Sequence, residues 1–110
     1  MPHLKIRGIE KKIIVEHSKE IVDNLSKIIN CDRTWVTIEH QETEYIFDGK
    51  IVEGYTFVEI YWFAREEKIK KEVAKYLTEL IKKVNNNKDC CVIFFTLTGE
   101  NYCDNGEFFA

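Results

Sequence analysis

Proline is almost absent from this chain: one residue in 110, Pro2, with five glycines. That scarcity excludes collagen-like, linker-like and low-complexity chains, which are rich in both. No apolar run approaches the ~20 residues of a membrane span, and the amino terminus lacks the apolar stretch of a signal peptide, so a cytoplasmic chain with no membrane partner is expected. A basic excess is lacking too. The net charge of -3 argues against a nucleic-acid partner, whose phosphates are met by basic stripes. The four cysteines, Cys31, Cys90, Cys91 and Cys103, have no C-x-x-C spacing, and no set of ligands stands at usable spacing, so no metal site is expected. The expected distribution is one core thiol, one on the other sheet face, and two in loops.

What is present is a chain that is 45% hydrophobic and 32% charged, long enough to bury a core as a single domain spanning residues 1–110. It carries its plan twice. From Lys12 to Ile29 the apolar residues Ile14, Ile21, Val22, Leu25 and Ile29 recur at helical spacing, and 55 residues on Ile69, Tyr76, Leu77, Leu80 and Val84 repeat it. The leading strands match at an offset of 54, pairing Leu4 with Val58 and Ile6 with Ile60, whereas the following strands are expected at 55, pairing Val36 with Cys91 and Ile38 with Ile93. The pseudo-repeats run over about 1–44 and 56–99. Right-handed β-α-β crossovers place both helices on one face of a four-stranded mixed α/β (α+β) sheet. Between the halves, Tyr45 to Val52 reads as a hairpin around Asp48-Gly49. Gly99 to Ala110 reads as a polar loop with an Asn105-Gly106 turn and an aromatic end, Phe108-Phe109, that needs something to pack against.

Alternation assigns Leu4, Ile6, Val36, Ile38, Val58, Ile60, Trp62, Cys91, Ile93 and Phe95 to the helix side. The other face then carries His3, Lys5, Arg7, Thr37, Glu39, Glu59, Tyr61, Val92 and Phe94. Lys5, Arg7, Glu39 and Glu59 form a charge-balanced quartet there, with Arg7 a structural partner of Glu39 or Glu59. The apolar residues beside it call for partial cover by another subunit.

Pro2 heads the first strand. Loss of Met1 would make it a secondary amine, and burial or a neighbouring cation lowers the pKa of a terminal amine toward neutrality, where it serves as a general base. Proline is equally tolerated at a strand head for structural reasons. Of the histidines, His17 lies on the first helix's apolar stripe, His40 ends a strand without metal companions, and His3 turns to the helix-free face but is close enough to Pro2 to tune its amine.

Paired β-α-β units behind Met-Pro resemble the tautomerase superfamily over essentially the whole chain. The pieces MPHLKIRGI (1–9), VEIYWFAR (58–65) and ENYCDNGEFF (100–109) are more closely similar to an uncharacterised bacterial branch of it that carries a domain-of-unknown-function label. The resemblance implies a tautomerase-like fold, a homotrimer, and a cofactor-free tautomerase or isomerase in which Pro2 is the base acting on a keto or enol acid. Short tautomerases carry arginines at the positions of Thr37 and Lys12, so other cations would have to anchor a carboxylate. Arg33 and Arg65 are the candidates, with Lys5 near the amine, and Tyr102 and Asn101 fall where the superfamily places pocket residues. The alternative is a catalytically silent trimer whose helix-free face holds structural ion pairs. An RNA-binding sheet would use Tyr61 and Phe94, but its basic and glycine motif residues are missing.

Overall fold

In the computed structural model, which describes residues 1–86 and 88–109, the chain runs β1 (His3–Arg7), α1 (Lys11–Ile29), β2 (Thr37–Gln41), β3 (Tyr45–Phe47), β4 (Lys50–Val52), β5 (Thr56–Phe63), α2 (Glu67–Val84), β6 (Cys90–Leu97), β7 (Cys103–Asp104) and β8 (Glu107–Phe108). Short 3-10 turns at Arg33–Trp35 and Gly99–Asn101 precede β2 and follow β6. The four long strands form one mixed sheet in the order β2-β1-β5-β6. Within each half the strands are parallel, β1 with β2 and β5 with β6, and the halves meet through the antiparallel β1–β5 pair.

The period-two pattern of β1 and β5 places Leu4, Ile6, Val58, Ile60 and Trp62 in the core, where they meet Ile14, Ile21, Leu25 and Ile29 of α1 and Val73, Leu77, Leu80 and Ile81 of α2. Both helices therefore cover one face. α1 ends on Asn30, which takes the left-handed conformation (φ 61°) that asparagine tolerates at a helix end.

β6 corrects the expected side-chain assignment. Cys90, Val92 and Phe94 pack against the helix-side core, and Phe94 lies beside Trp62 with centroids 5.0 Å apart. On the other face Phe95 stacks on Tyr61 at 4.6 Å. The expected set of Cys91, Ile93 and Phe95 is thus reversed, and two part-buried thiols rather than one, Cys90 and Cys31, pack against the core. The cause is local: Cys90 to Phe95 is apolar throughout, so the run has no phase, and a slip of one residue moves every side chain to the other face. The pairings His3–Thr37 and Phe57–Cys91 put the following strands, like the leading ones, at an offset of 54.

Each half also ends in a two-residue hairpin. β3 and β4 turn at Asp48 (φ 52°) and Gly49 (φ 76°), and β7 and β8 at Asn105 (φ 52°) and Gly106 (φ 88°). Two successive positive φ angles make the primed turn that suits the twist of a hairpin and that Asp-Gly and Asn-Gly favour. Phe109 finds its packing on Phe63, stacked at 5.6 Å, and edge-on to Tyr102 at 4.8 Å. No helix among the described residues is long and apolar enough to cross a membrane.

Candidate functional site

The heads of β1 and β2 and the tails of β5 and β6 share one pole of the sheet. Pro2 sits there, its side chain fully buried and its carbonyl oxygen accepting the Thr37 N–H at 3.1 Å. The strand ladder therefore fixes the orientation of the first residues before any ligand arrives. Burial lowers the pKa of the Met1 amine, the Arg65 guanidinium lowers it further, and Cys31 opposes weakly. Arg65 lies two residues ahead of α2, and its Nη1 donates to the Phe63 carbonyl at 2.9 Å.

His3 follows on the helix-free side. Its Nδ1 lies 2.7 Å from Thr37 Oγ1 and its Nε2 lies 2.8 Å from the Tyr102 hydroxyl. Burial and the positive amine lower its pKa, with Asp104 opposing. The Tyr102 ring packs edge-on against Phe63 at 5.2 Å, and burial, then Asp104, raises the pKa of its hydroxyl. Cys31 completes the group: burial raises its thiol while the amine and Arg65 pull it down. The pole thus combines a shielded amine, the Arg65 guanidinium, a Thr-His-Tyr chain and an aromatic wall of Phe63, Tyr102 and Phe109.

The other expected site residues fall differently. Asn101 ends the turn before Tyr102 and is exposed. Arg33 is at the same pole, but its Nε donates to Asp23 of α1 at 2.6 Å on the outer surface. Lys5 lies on the helix-free face with Glu39 and Glu59 as cross-strand neighbours. Arg7 pairs with Glu59, which also accepts from the Tyr61 hydroxyl at 2.8 Å. Lys12 lies at the opposite pole, on a cleft of about 840 Å³ that also includes Lys11, His40 and Lys88. His40 Nε2 is 2.7 Å from the Ile9 carbonyl there. The Thr37 and Tyr102 links to His3 and the nearness of Cys31 were not foreseen. Position 37 facing position 3 across a parallel pair was the available signal; nothing local in the sequence announces the Cys31 contact. Among the described residues, no group of three or more His, Cys, Asp or Glu could hold a metal ion.

A family described as a domain of unknown function, DUF1904, matches residues 1–108. The chain belongs to that family. A DUF1904 crystal structure from Sebaldella termitidis ATCC 33386 is 34% identical with a TM-score of 0.93, covering 99% of this chain and 100% of its own. Beyond DUF1904 the fold is that of the tautomerase superfamily. A macrophage migration inhibitory factor-like protein from Entamoeba histolytica superimposes with a TM-score of 0.76 at 20% identity, over 98% of both chains. A fused 4-OT, described as an asymmetric trimer, does so with a TM-score of 0.83 at 14% identity, over 97% of this chain and 95% of its own. No curated protein matches the sequence.

Proposed function

We propose that this DUF1904 chain is a small, cofactor-free tautomerase or isomerase acting on a keto or enol acid, with Pro2 as general base once Met1 is removed. The observation that carries this reading is the setting of the terminal amine, part-buried and facing Arg65, both of which lower its pKa and would act likewise on an amine one residue further in. Unprotonated, the Pro2 nitrogen takes a proton from the carbon beside a carbonyl. Charge moves onto the carbonyl oxygen, and the protonated amine, whose proton exchanges with solvent, delivers one proton back to carbon, so the substrate is isomerised with no net gain or loss. Arg65 forks the substrate carboxylate, which places the reacting carbon against the amine. Tyr102 and the exposed Asn101 amide are donors for the developing oxyanion. Arg33 joins only by leaving Asp23, and Lys5 contributes at most through its field. Residues 1–110 act as a single domain.

The assembly belongs to the same proposal. The helix-free face and the β3–β4 hairpin, with Ile46 75% and Phe47 73% exposed, offer the apolar cover expected at the contacts of a homotrimer. A fused 4-OT neighbour of this fold is a trimer. Sedimentation of the purified chain is expected to give three copies.

The test begins with the mass of untagged protein, which should lack Met1. Pro2→Ala should then lower deuterium exchange at the carbon beside the carbonyl of a 2-oxo acid by about 100-fold or more, with the oligomer unchanged. The pH profile has a definite sign: if burial and Arg65 act on the Pro2 amine as they do on that of Met1, the neutral form persists further toward acid than an ordinary α-amino group at ~8 would allow, and activity falls only on the acid side. Retained Met1, or a fully active Pro2→Ala, would sink the proline mechanism, and retained Met1 without any exchange would favour the silent trimer whose helix-free face carries structural ion pairs such as Arg7–Glu59.

A further inference from the structure

We propose that His3 is a positioning residue that, braced by Thr37, holds the Tyr102 hydroxyl over the amino-terminal site as an uncharged hydrogen-bond donor, so that the site prefers substrates with a single carboxylate. This rests on the reading of Pro2 as base and adds to it a substrate charge.

The geometry comes first. Thr37 Oγ1, both His3 ring nitrogens and the Tyr102 hydroxyl form a continuous chain with contacts of 2.7 and 2.8 Å. A neutral imidazole has one donor and one acceptor nitrogen, and burial holds the His3 ring in that neutral form. With Thr37 donating to Nδ1, Nε2–H donates to the Tyr102 oxygen, and the phenolic proton is released to point elsewhere. Phe63 and Phe109, edge-on at 5.2 and 4.8 Å, leave the Tyr102 ring little room to swing. The groups that act on this chain are few: the amine beside His3, Asp104 near both His3 and Tyr102, and Tyr61 opposite His3 on β5.

Charge follows from what stands where. Thr37 presents a hydroxyl already engaged with His3, Lys12 lines the cleft at the far pole, and Arg33 is tied to Asp23. Arg65 is the cation whose field acts on the amine. One guanidinium binds one carboxylate through two parallel hydrogen bonds. A second carboxylate, directed at Tyr102, would meet an uncharged donor and the negative field of Asp104 and would lose its water without a cation in return.

The experiment compares 2-oxopentanoate with 2-oxoglutarate, which differ by a terminal methyl against a terminal carboxylate, as substrates for deuterium exchange followed by proton NMR. The monoacid should have the higher kcat/KM by about tenfold or more, and Thr37→Arg should abolish or invert the preference. His3→Ala and Tyr102→Phe should each lower kcat for the monoacid about tenfold to 100-fold, with KM little changed and the double variant no worse than either single one. Nitrogen-15 NMR of the folded protein gives a readout independent of turnover: His3 should be the Nε2–H tautomer in wild type, and its shifts should move in Tyr102→Phe and in Thr37→Val. Equal or better use of the diacid, additive losses in the double variant, or His3 shifts indifferent to Tyr102→Phe would each overturn the proposal. Full activity in Pro2→Ala would instead overturn the reading of the base, while the tautomer and its response still judge His3.

Discussion

Replacing Thr56 by valine tests how the halves of the fold are tied together. Thr56 opens β5 at the pole opposite Pro2 and is 1% exposed. Its hydroxyl donates to the Gly8 carbonyl oxygen at 3.1 Å and accepts from the Asn85 side-chain amide at 3.0 Å. Asn85, itself buried just past α2, also accepts the Lys88 N–H at 3.2 Å. One hydroxyl therefore joins the end of β1, the start of β5 and the exit of α2. Valine has nearly the same shape, so no cavity opens. Two hydrogen bonds are lost at ~0.5–1.5 kcal/mol each, and the Asn85 donor is left buried without a partner, a situation costing ~1–3 kcal/mol. The added methyl returns up to ~0.8 kcal/mol. The terms give a loss of roughly 1–5 kcal/mol, centred on ~3 kcal/mol. In urea, at fixed protein concentration, this lowers the midpoint by about 1.5 M at an unchanged slope of ~2 kcal/mol/M. Thr56→Ser keeps the hydroxyl and should cost less. A Thr56→Val protein within ~0.5 kcal/mol of wild type, or a serine variant worse than the valine one, would refute the reasoning.

Two further outcomes follow from local geometry. Gly8 has φ 85°, and an added Cβ would overlap the Tyr55 carbonyl oxygen, a backbone atom; Gly8→Ala should destabilise by more than the ~1–2 kcal/mol of the left-handed conformation alone, read as a fall in melting temperature, and an unchanged melting temperature would contradict the close approach. Burial pushes the Cys90 thiol up to about 11, leaving ~0.1% thiolate at pH 8, so it should react with a water-soluble disulfide reagent at least ~100-fold more slowly than a free cysteine, whereas exposed Cys103 labels in the first phase; early labelling of Cys90 on peptide mapping would place it outside the core.

The fold was legible where side chains alternate or recur with a clear period. β1 and β5 separate apolar from charged residues, the two helices repeat one stripe, and Asp48-Gly49 and Asn105-Gly106 specify their turns through backbone preference alone. β6 was not, because six consecutive apolar residues satisfy either face equally and only tertiary packing against Trp62 chooses. Of the candidate site, Pro2 and Tyr102 were nominated through the likeness to tautomerases, and the structure places both at one pole of the sheet. Arg33, expected in a loop, and Arg65, expected to open the second helix, could not be ranked in sequence, since each is a lone cation beside an element end; the structure ties the first to Asp23 and sets the field of the second on the amine. The contact of His3 with Tyr102 was not readable because alternation gives a face but not the residue waiting there, and Tyr102 lies 99 positions away.

The antiparallel seam between β1 and β5 has a consequence for self-recognition. Because the halves are copies, each leading strand could in principle pair with another of its own kind, between two molecules or in a misfolded one. In the native seam Lys5 stands opposite Glu59. The same register applied to two β1 strands sets Lys5 against Lys5, and applied to two β5 strands sets Glu59 against Glu59, with like charges directly opposed and disfavoured in both. The ionic residues of the helix-free face thus act as a password that the two halves exchange with each other and that neither accepts from itself.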